Sequence, residues 1–223
     1  RTGSDEELDL ATDGESLVVR GQNAEFKLPV EDASLFPEVP DFNATSYHMV
    51  TAGDLKRLIR RTIFATDPQS TRYALEGVLV EVGDGTIAMV GTDGRRLARM
   101  STPCMAENEP AASLGSPVIP VKALKLIERN LLDDSEHVHL AIQAGTAALV
   151  RTDGAVIYSR LVEGRFPRYQ DVFPTNAQAK IPLEVGRLRL AVEQASIVTS
   201  DDSRGVDFQF GNGALKLSSR AAD

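Results

Sequence analysis

Residues 73–100 read YALEGVLVEVGDGTIAMVGTDGRRLARM, and the two glycine-marked turns inside this stretch decide how the rest of the chain is read. Val78, Leu79, Val80 and Val82 make an apolar run broken only by Glu81, and residues 86–90 answer it across Gly83-Asp84-Gly85. Glycine reaches the positive φ angles of a tight turn without steric cost, so this pattern predicts a β-hairpin. A second turn is predicted at Thr92-Asp93-Gly94, after which the chain leaves through Arg95-Arg96-Leu97-Ala98. Two cations beside an aliphatic residue at a strand start form a corner suited to holding a ligand.

Working outward, residues 46–50 predict a strand and Thr51 a helix N-cap with Asp54 three residues on, while Leu55, Leu58, Ile59 and Ile63 recur on one helical face. Strands are expected near 75–82, 86–91 and 95–102, followed by a Pro- and Gly-containing loop over 104–115. The pattern then restarts, with a strand at 117–120, a helix at 121–132 that turns Leu124, Ile127 and Leu131 inward, and strands at 137–142, 146–151 and 155–161. Each half therefore reads strand, helix, three strands, which places the chain in the α+β class with antiparallel sheets. A further helix is expected at 186–197 through Leu188, Ala191, Val192 and Ala195, carrying Arg187 and Arg189.

A longer repeat frames these halves. Leu10-Ala11 and Phe36-Pro37 reappear as Leu140-Ala141 and Phe166-Pro167, and Gly77-Val78 reappears as Gly205-Val206. The spacing is that of a whole domain rather than of a solenoid unit. The expected organisation is the C-terminal part of one domain over 1–44, a complete second domain over 45–174, and the N-terminal part of a third over 175–223.

A hydrophobic content of 42% over 223 residues suffices for more than one core. No apolar run approaches the ~20 residues of a membrane span, and the first residues carry no apolar signal, so a cytoplasmic protein without a membrane partner is expected. The single cysteine, Cys104, cannot form an internal disulfide and is expected to be chemically idle. The net charge of −8 runs against a dedicated nucleic-acid binder, but the charges are segregated. Lys56, Arg57, Arg60 and Arg61 oppose only Asp54 on the first helix, and Lys122, Lys125 and Arg129 oppose only Glu128 on the second. Cations at matching places on three helices point to a shared basic surface.

The string Thr92-Asp93-Gly94-Arg95-Arg96-Leu97-Ala98, with Arg72-Tyr73 and Leu75-Glu76-Gly77 before it and Gly164-Arg165-Phe166-Pro167, Tyr169 and Arg204-Gly205-Val206 after it, resembles the bacterial sliding clamp family, the beta subunit of DNA polymerase III. Thr-Asp-Gly itself occurs three times, at 12–14, 92–94 and 152–154, and only the middle copy continues in this way. The resemblance implies a DNA clamp fold in which each domain duplicates a strand-helix-three-strand unit, helices inside and sheets outside. It further implies a processivity factor that encircles duplex DNA without reading sequence and docks polymerase III alpha and clamp-loader subunits through short linear peptides. Such a factor closes head to tail as a homodimer ring, and it carries no catalytic site, cofactor or metal.

Carried onto this sequence, the resemblance places peptide binding at Leu75, Thr92, Gly94, Arg95, Arg96, Leu97, Pro167 and Val172. It places DNA contacts at Gln69, Arg72 and Tyr73, beside the helix cations Lys56, Arg60, Lys122, Lys125 and Arg189. With most of the first and third domains outside these 223 residues, a monomer is expected. The alternative is a β-rich hydrolytic, carbohydrate-active domain using carboxylates such as Asp93, Asp153 or Asp171, although nothing in the sequence pairs those acids. His137 and His139 lie two apart on one strand face, yet no further Cys or His at ligand spacing joins them, so they are expected at the surface without a metal.

Overall fold

The first helix starts where its cap chemistry directs it. Thr51 leaves the preceding strand with extended backbone angles, its Oγ1 accepts the Asp54 N–H at 3.2 Å, and its hydroxyl donates to Asp54 Oδ2 at 2.8 Å. This reciprocal arrangement satisfies a donor that a helix start otherwise leaves open. The computed structural model describes residues 7–36, 40–70, 74–108, 117–143, 145–173, 176, 179–197, 199 and 205–219. The chain divides into two units, Arg1–Tyr169 and Gln170–Asp223.

The first unit opens with an antiparallel meander of β1 (Asp9–Thr12), β2 (Ser16–Arg20) and β3 (Glu25–Pro29). The chain then forms β4 (Tyr47–Thr51), α1 (Ala52–Arg60), β5 (Gly77–Gly83), β6 (Thr86–Thr92), β7 (Leu97–Pro103) and β8 (Met105–Glu107). The second half follows as β9 (Val118–Pro120), α2 (Val121–Asn130), β10 (His137–Gln143), β11 (Ala147–Arg151) and β12 (Val156–Arg160). The expected order of strand, helix and three strands is present twice.

The two halves exchange their leading strands. One antiparallel sheet runs β7-β6-β5-β9 and the other β12-β11-β10-β4-β8, so β9 completes the sheet of the first half while β4 lies in the sheet of the second. Gly77 pairs with Pro120 and Leu79 with Val118 in one exchange; His137 pairs with Thr51 and Leu140 with His48 in the other.

One continuous core fills the space that both sheets and both helices share. Leu58 and Ile59 of α1 and Leu124 and Ile127 of α2 meet Val78, Val80, Ile87 and Met89 from one sheet and Val138, Leu140, Val150 and Ile157 from the other. Each such side chain contributes roughly 1.5–3 kcal/mol when fully buried. The strand period of two sends the alternate residues Leu79, Val90 and Val118 to the opposite face, where they form a second cluster with Ala74, Phe166 and Tyr169.

Several elements depart from expectation by a few residues, and the following departures have a local cause. α1 stops at Arg60 rather than carrying Ile63, because the Thr62 hydroxyl donates to the Leu58 carbonyl at 2.7 Å and the chain passes into a 3-10 turn at Ile63–Ala65. β7 begins at Leu97 rather than Arg95, because the Asp93 carboxylate holds the N–H groups of Arg95 and Arg96 in the turn. β8 lies inside the stretch expected to be loop; three residues are too few for alternation to show.

The second unit contains α3 (Val185–Ser196) and the hairpin β13 (Asp207–Gly211) and β14 (Ala214–Ser218). Leu188, Ala191, Val192 and Ala195 are the half-buried residues of α3, as its sequence stripe predicts.

Candidate peptide and DNA interfaces

The turn between β6 and β7 is assembled by its own side chains. Asp93 Oδ1 accepts from the Arg95 and Arg96 N–H groups, both at 2.9 Å, and Oδ2 accepts from Arg96 Nε at 3.0 Å. Burial pushes the Asp93 carboxyl up, but these donors outweigh it and hold it below the usual carboxylate range. Thr92 is buried; its hydroxyl donates to the Arg96 carbonyl at 2.8 Å and accepts from the Gly94 N–H at 3.1 Å. Gly94 takes φ +84, a conformation glycine adopts without strain.

Around this turn the structure brings together part of the expected peptide set. Leu97 is half-buried against the cluster of Phe166 and Tyr169, while Arg95 and Arg96 are exposed beside it. Pro167 is half-buried in the segment that lays Phe166 and Tyr169 on this sheet face, and its carbonyl accepts from the Tyr169 N–H at 2.8 Å. The Tyr169 hydroxyl anchors that segment to β5 by donating to Glu81 Oε2 at 2.5 Å; burial, and then Glu81, raise its pKa. Leu75 is 7% exposed and belongs to the packed interior. Val172 is exposed in the second unit.

Phe64 escaped the sequence reading. It is 55% exposed, and the Arg96 guanidinium lies over its ring, 5.9 Å from the centroid. An exposed aromatic under a cation has the chemistry of a recognition surface. The only sequence signal for it is an aromatic residue at the end of the apolar helical stripe.

The DNA candidates fall into different electrostatic settings. Lys56 Nζ lies 2.5 Å from Asp134 Oδ1, and Arg60 Nε lies 2.6 Å from Glu128 Oε1. Arg57 pairs with Asp54, whose carboxyl is held low first by that guanidinium and then by the Thr51 hydroxyl. Lys122 and Lys125 on α2 are exposed, and neither has an acidic partner among the described residues. In the second unit Arg189 pairs with Glu193 at 2.7 Å. Gln69 is exposed in a turn fixed by Asp67, and Arg72 and Tyr73 lie outside the described residues.

The histidines, the cysteine and the isolated acids have structural surroundings. His137 is exposed, but His139 is half-buried rather than at the open surface: its ring meets Tyr47 at 4.9 Å, and Arg151 Nε is 3.4 Å from its Nδ1. Cys104 is half-buried, and burial raises its thiol pKa. Asp93 is committed to its turn, and the Asp153 N–H donates to Glu136. Among the described residues no group of three or more His, Cys, Asp or Glu side chains is placed to hold a metal, and no helix is long and apolar enough to cross a membrane.

The family model for the central domain of the DNA polymerase III beta subunit matches residues 49–168. The beta sliding clamp of Proteus mirabilis is 34% identical over 212 residues, covering 95% of this chain and 56% of the relative. That of Escherichia coli strain K12 is 31% identical over 212 residues, with the same coverage. A crystal structure of the DNA polymerase sliding clamp from Pseudomonas aeruginosa with ligand superposes with a TM-score of 0.81 at 29% identity, over 96% of this chain and 57% of that one. Another from the same organism, bound to griselimycin, gives 0.80 at 28% over the same shares. The chain thus spans about half the length of the curated relatives it matches.

Proposed function

On the premise that this chain belongs to the DNA polymerase III beta subunit family, as its match to the central-domain model shows, we propose that it acts as part of a processivity clamp that holds a replicative polymerase on duplex DNA. The observation that carries this reading is the juxtaposition of α1 and α2 over one core, each with a cationic outer face, backed by two antiparallel sheets. A basic helical face contacts phosphate without reading base edges, so one contact exchanges for the next as the protein moves. In the complete clamp two chains close into a ring, which turns weak contact into lasting attachment.

The β6–β7 corner is the proposed docking site for short peptides of polymerase and clamp-loader subunits. Leu97 and Pro167 offer apolar contact, Gly94 gives access to the backbone, and the stems of Arg95 and Arg96 cover apolar surface while their guanidinium groups meet carbonyls or acids. The Pseudomonas aeruginosa clamp bound to griselimycin supports a ligand-accepting surface in this family. Of the acids named for the hydrolytic alternative, Asp93 has its carboxylate committed to the turn it caps, which leaves it no free role as acid or base.

Fluorescence anisotropy tests the reading. A labelled peptide from the polymerase alpha subunit, with aliphatic and aromatic anchors, is expected to bind this chain and to be displaced by its unlabelled form. Absence of saturable binding at millimolar chain concentration would refute the docking site.

A further inference from the structure

The two helices of the complete duplicated unit do not present their cations equally. Asp134 is seated against the start of α1: its carbonyl accepts the Gly53 N–H at 3.0 Å, and the neighbouring Glu136 carbonyl accepts from Ala52 at 2.8 Å. That seating carries the Asp134 carboxylate to Lys56, whose side chain is only 18% exposed. One turn further along α1, Glu128 reaches across from α2 to Arg60. With Asp54 on Arg57, each of the three α1 cations Lys56, Arg57 and Arg60 faces a carboxylate. Lys122, Lys125 and Arg129 of α2 have no such partners among the described residues.

We propose that Asp134 and Glu128 stand in for DNA phosphate, holding Lys56 and Arg60 while no duplex is present, so that α2 makes the primary contact and α1 engages only by exchanging these carboxylates for phosphates. The inference rests on the DNA-facing role proposed above for both helices. Its physical basis is competition. Each pair keeps one side chain open to water, Asp134 in the first and Arg60 in the second, so phosphate can compete for the cation. The carboxylate it frees attracts counterions in turn, which offsets part of the release from DNA and lowers the salt dependence. The arrangement weakens DNA contact without removing any cation, which suits a protein that must not stall.

The test is a salt titration of non-specific duplex binding by this chain, with four double variants. Asp134→Asn with Glu128→Gln is expected to tighten binding and steepen the slope of log K against log salt by up to about 0.9 for each cation released. The control Glu107→Gln with Glu163→Gln removes the same charge from exposed positions outside the helices and is expected to change binding less. Lys122→Gln with Lys125→Gln is expected to weaken binding more than Lys56→Gln with Arg60→Gln. That last comparison leaves both acids intact and holds the proposal open to refutation even if the acid variants fold poorly. Equal losses of affinity in the α1 and α2 cation variants, or equal gains from the acid pair and its control, would overturn it. If no variant changes affinity or slope, the assignment of this face to DNA is wrong instead.

Discussion

Gly77 packs so closely on Ile119 that a Cβ built on the glycine would stand 2.5 Å from the Ile119 carbonyl oxygen and 2.7 Å from Val118 Cγ1. The carbonyl is backbone and cannot rotate aside, so even alanine forces β5 and β9 apart. Gly77→Ala is expected to lower unfolding free energy by about 1–3 kcal/mol, the usual range for overpacking a tight core. Urea denaturation checks this, and Gly83→Ala, where a Cβ meets nothing within 4 Å, serves as the neutral comparison.

Stability should fall on mild acidification. Burial holds His48 below the ordinary histidine value of 6.5, and burial followed by Arg151 does the same to His139. The unfolded chain then binds these protons more tightly, so the stabilisation is complete above the ordinary value and is lost as pH falls through the lowered folded values. Denaturation midpoints between about pH 7.5 and pH 5 are expected to drop, and the drop is expected to shrink in His48→Gln. An identical pH dependence in that variant would assign the effect to other groups.

At the proposed docking corner, Leu97→Ala or Arg96→Ala is expected to weaken an anchor-bearing peptide by about 1–3 kcal/mol, in line with truncation of an interface anchor. Circular dichroism should be unchanged for Arg96→Ala, whose side chain is exposed. Titration calorimetry showing wild-type affinity in both variants would move the site elsewhere.

The DNA contact proposed for α2 makes its own prediction. Removing the charges of Lys122 and Lys125 is expected to lower the salt slope of duplex binding by up to ~0.9 for each phosphate no longer neutralised. The effect should be the same for duplexes of different sequence, because phosphate contacts carry no base information. A sequence-dependent effect would argue against a sliding surface.

What could be read in the sequence was what local chemistry determines. The Thr51–Asp54 cap, the α1 and α2 stripes and the Asp93 turn each depend on residues two to four apart, and each formed where expected except that α1 ends before Ile63 and α2 before Leu131. The exchange of β4 and β9 between sheets was not legible, since antiparallel alternation marks a strand without naming its neighbour. The same limit hid Phe64 beneath Arg96 and the Asp134 and Glu128 partners of Lys56 and Arg60. Those contacts join residues separated by whole elements and exist only after the sheets have closed on the helices.

The exchanged strands also bear on the order of folding. β4 leads the duplicated unit but finds its place beside β10 only after β5 to β9 and both helices have been laid down, while the sheet begun by β5 awaits β9. Contacts of such long sequence separation raise contact order, slow the search and leave little to be gained by assembling one half early. The duplicated halves should therefore acquire and lose their structure in one step, with amide protons of both sheets exchanging through a single shared opening. A repeat that looks divisible in sequence behaves as an indivisible clasp.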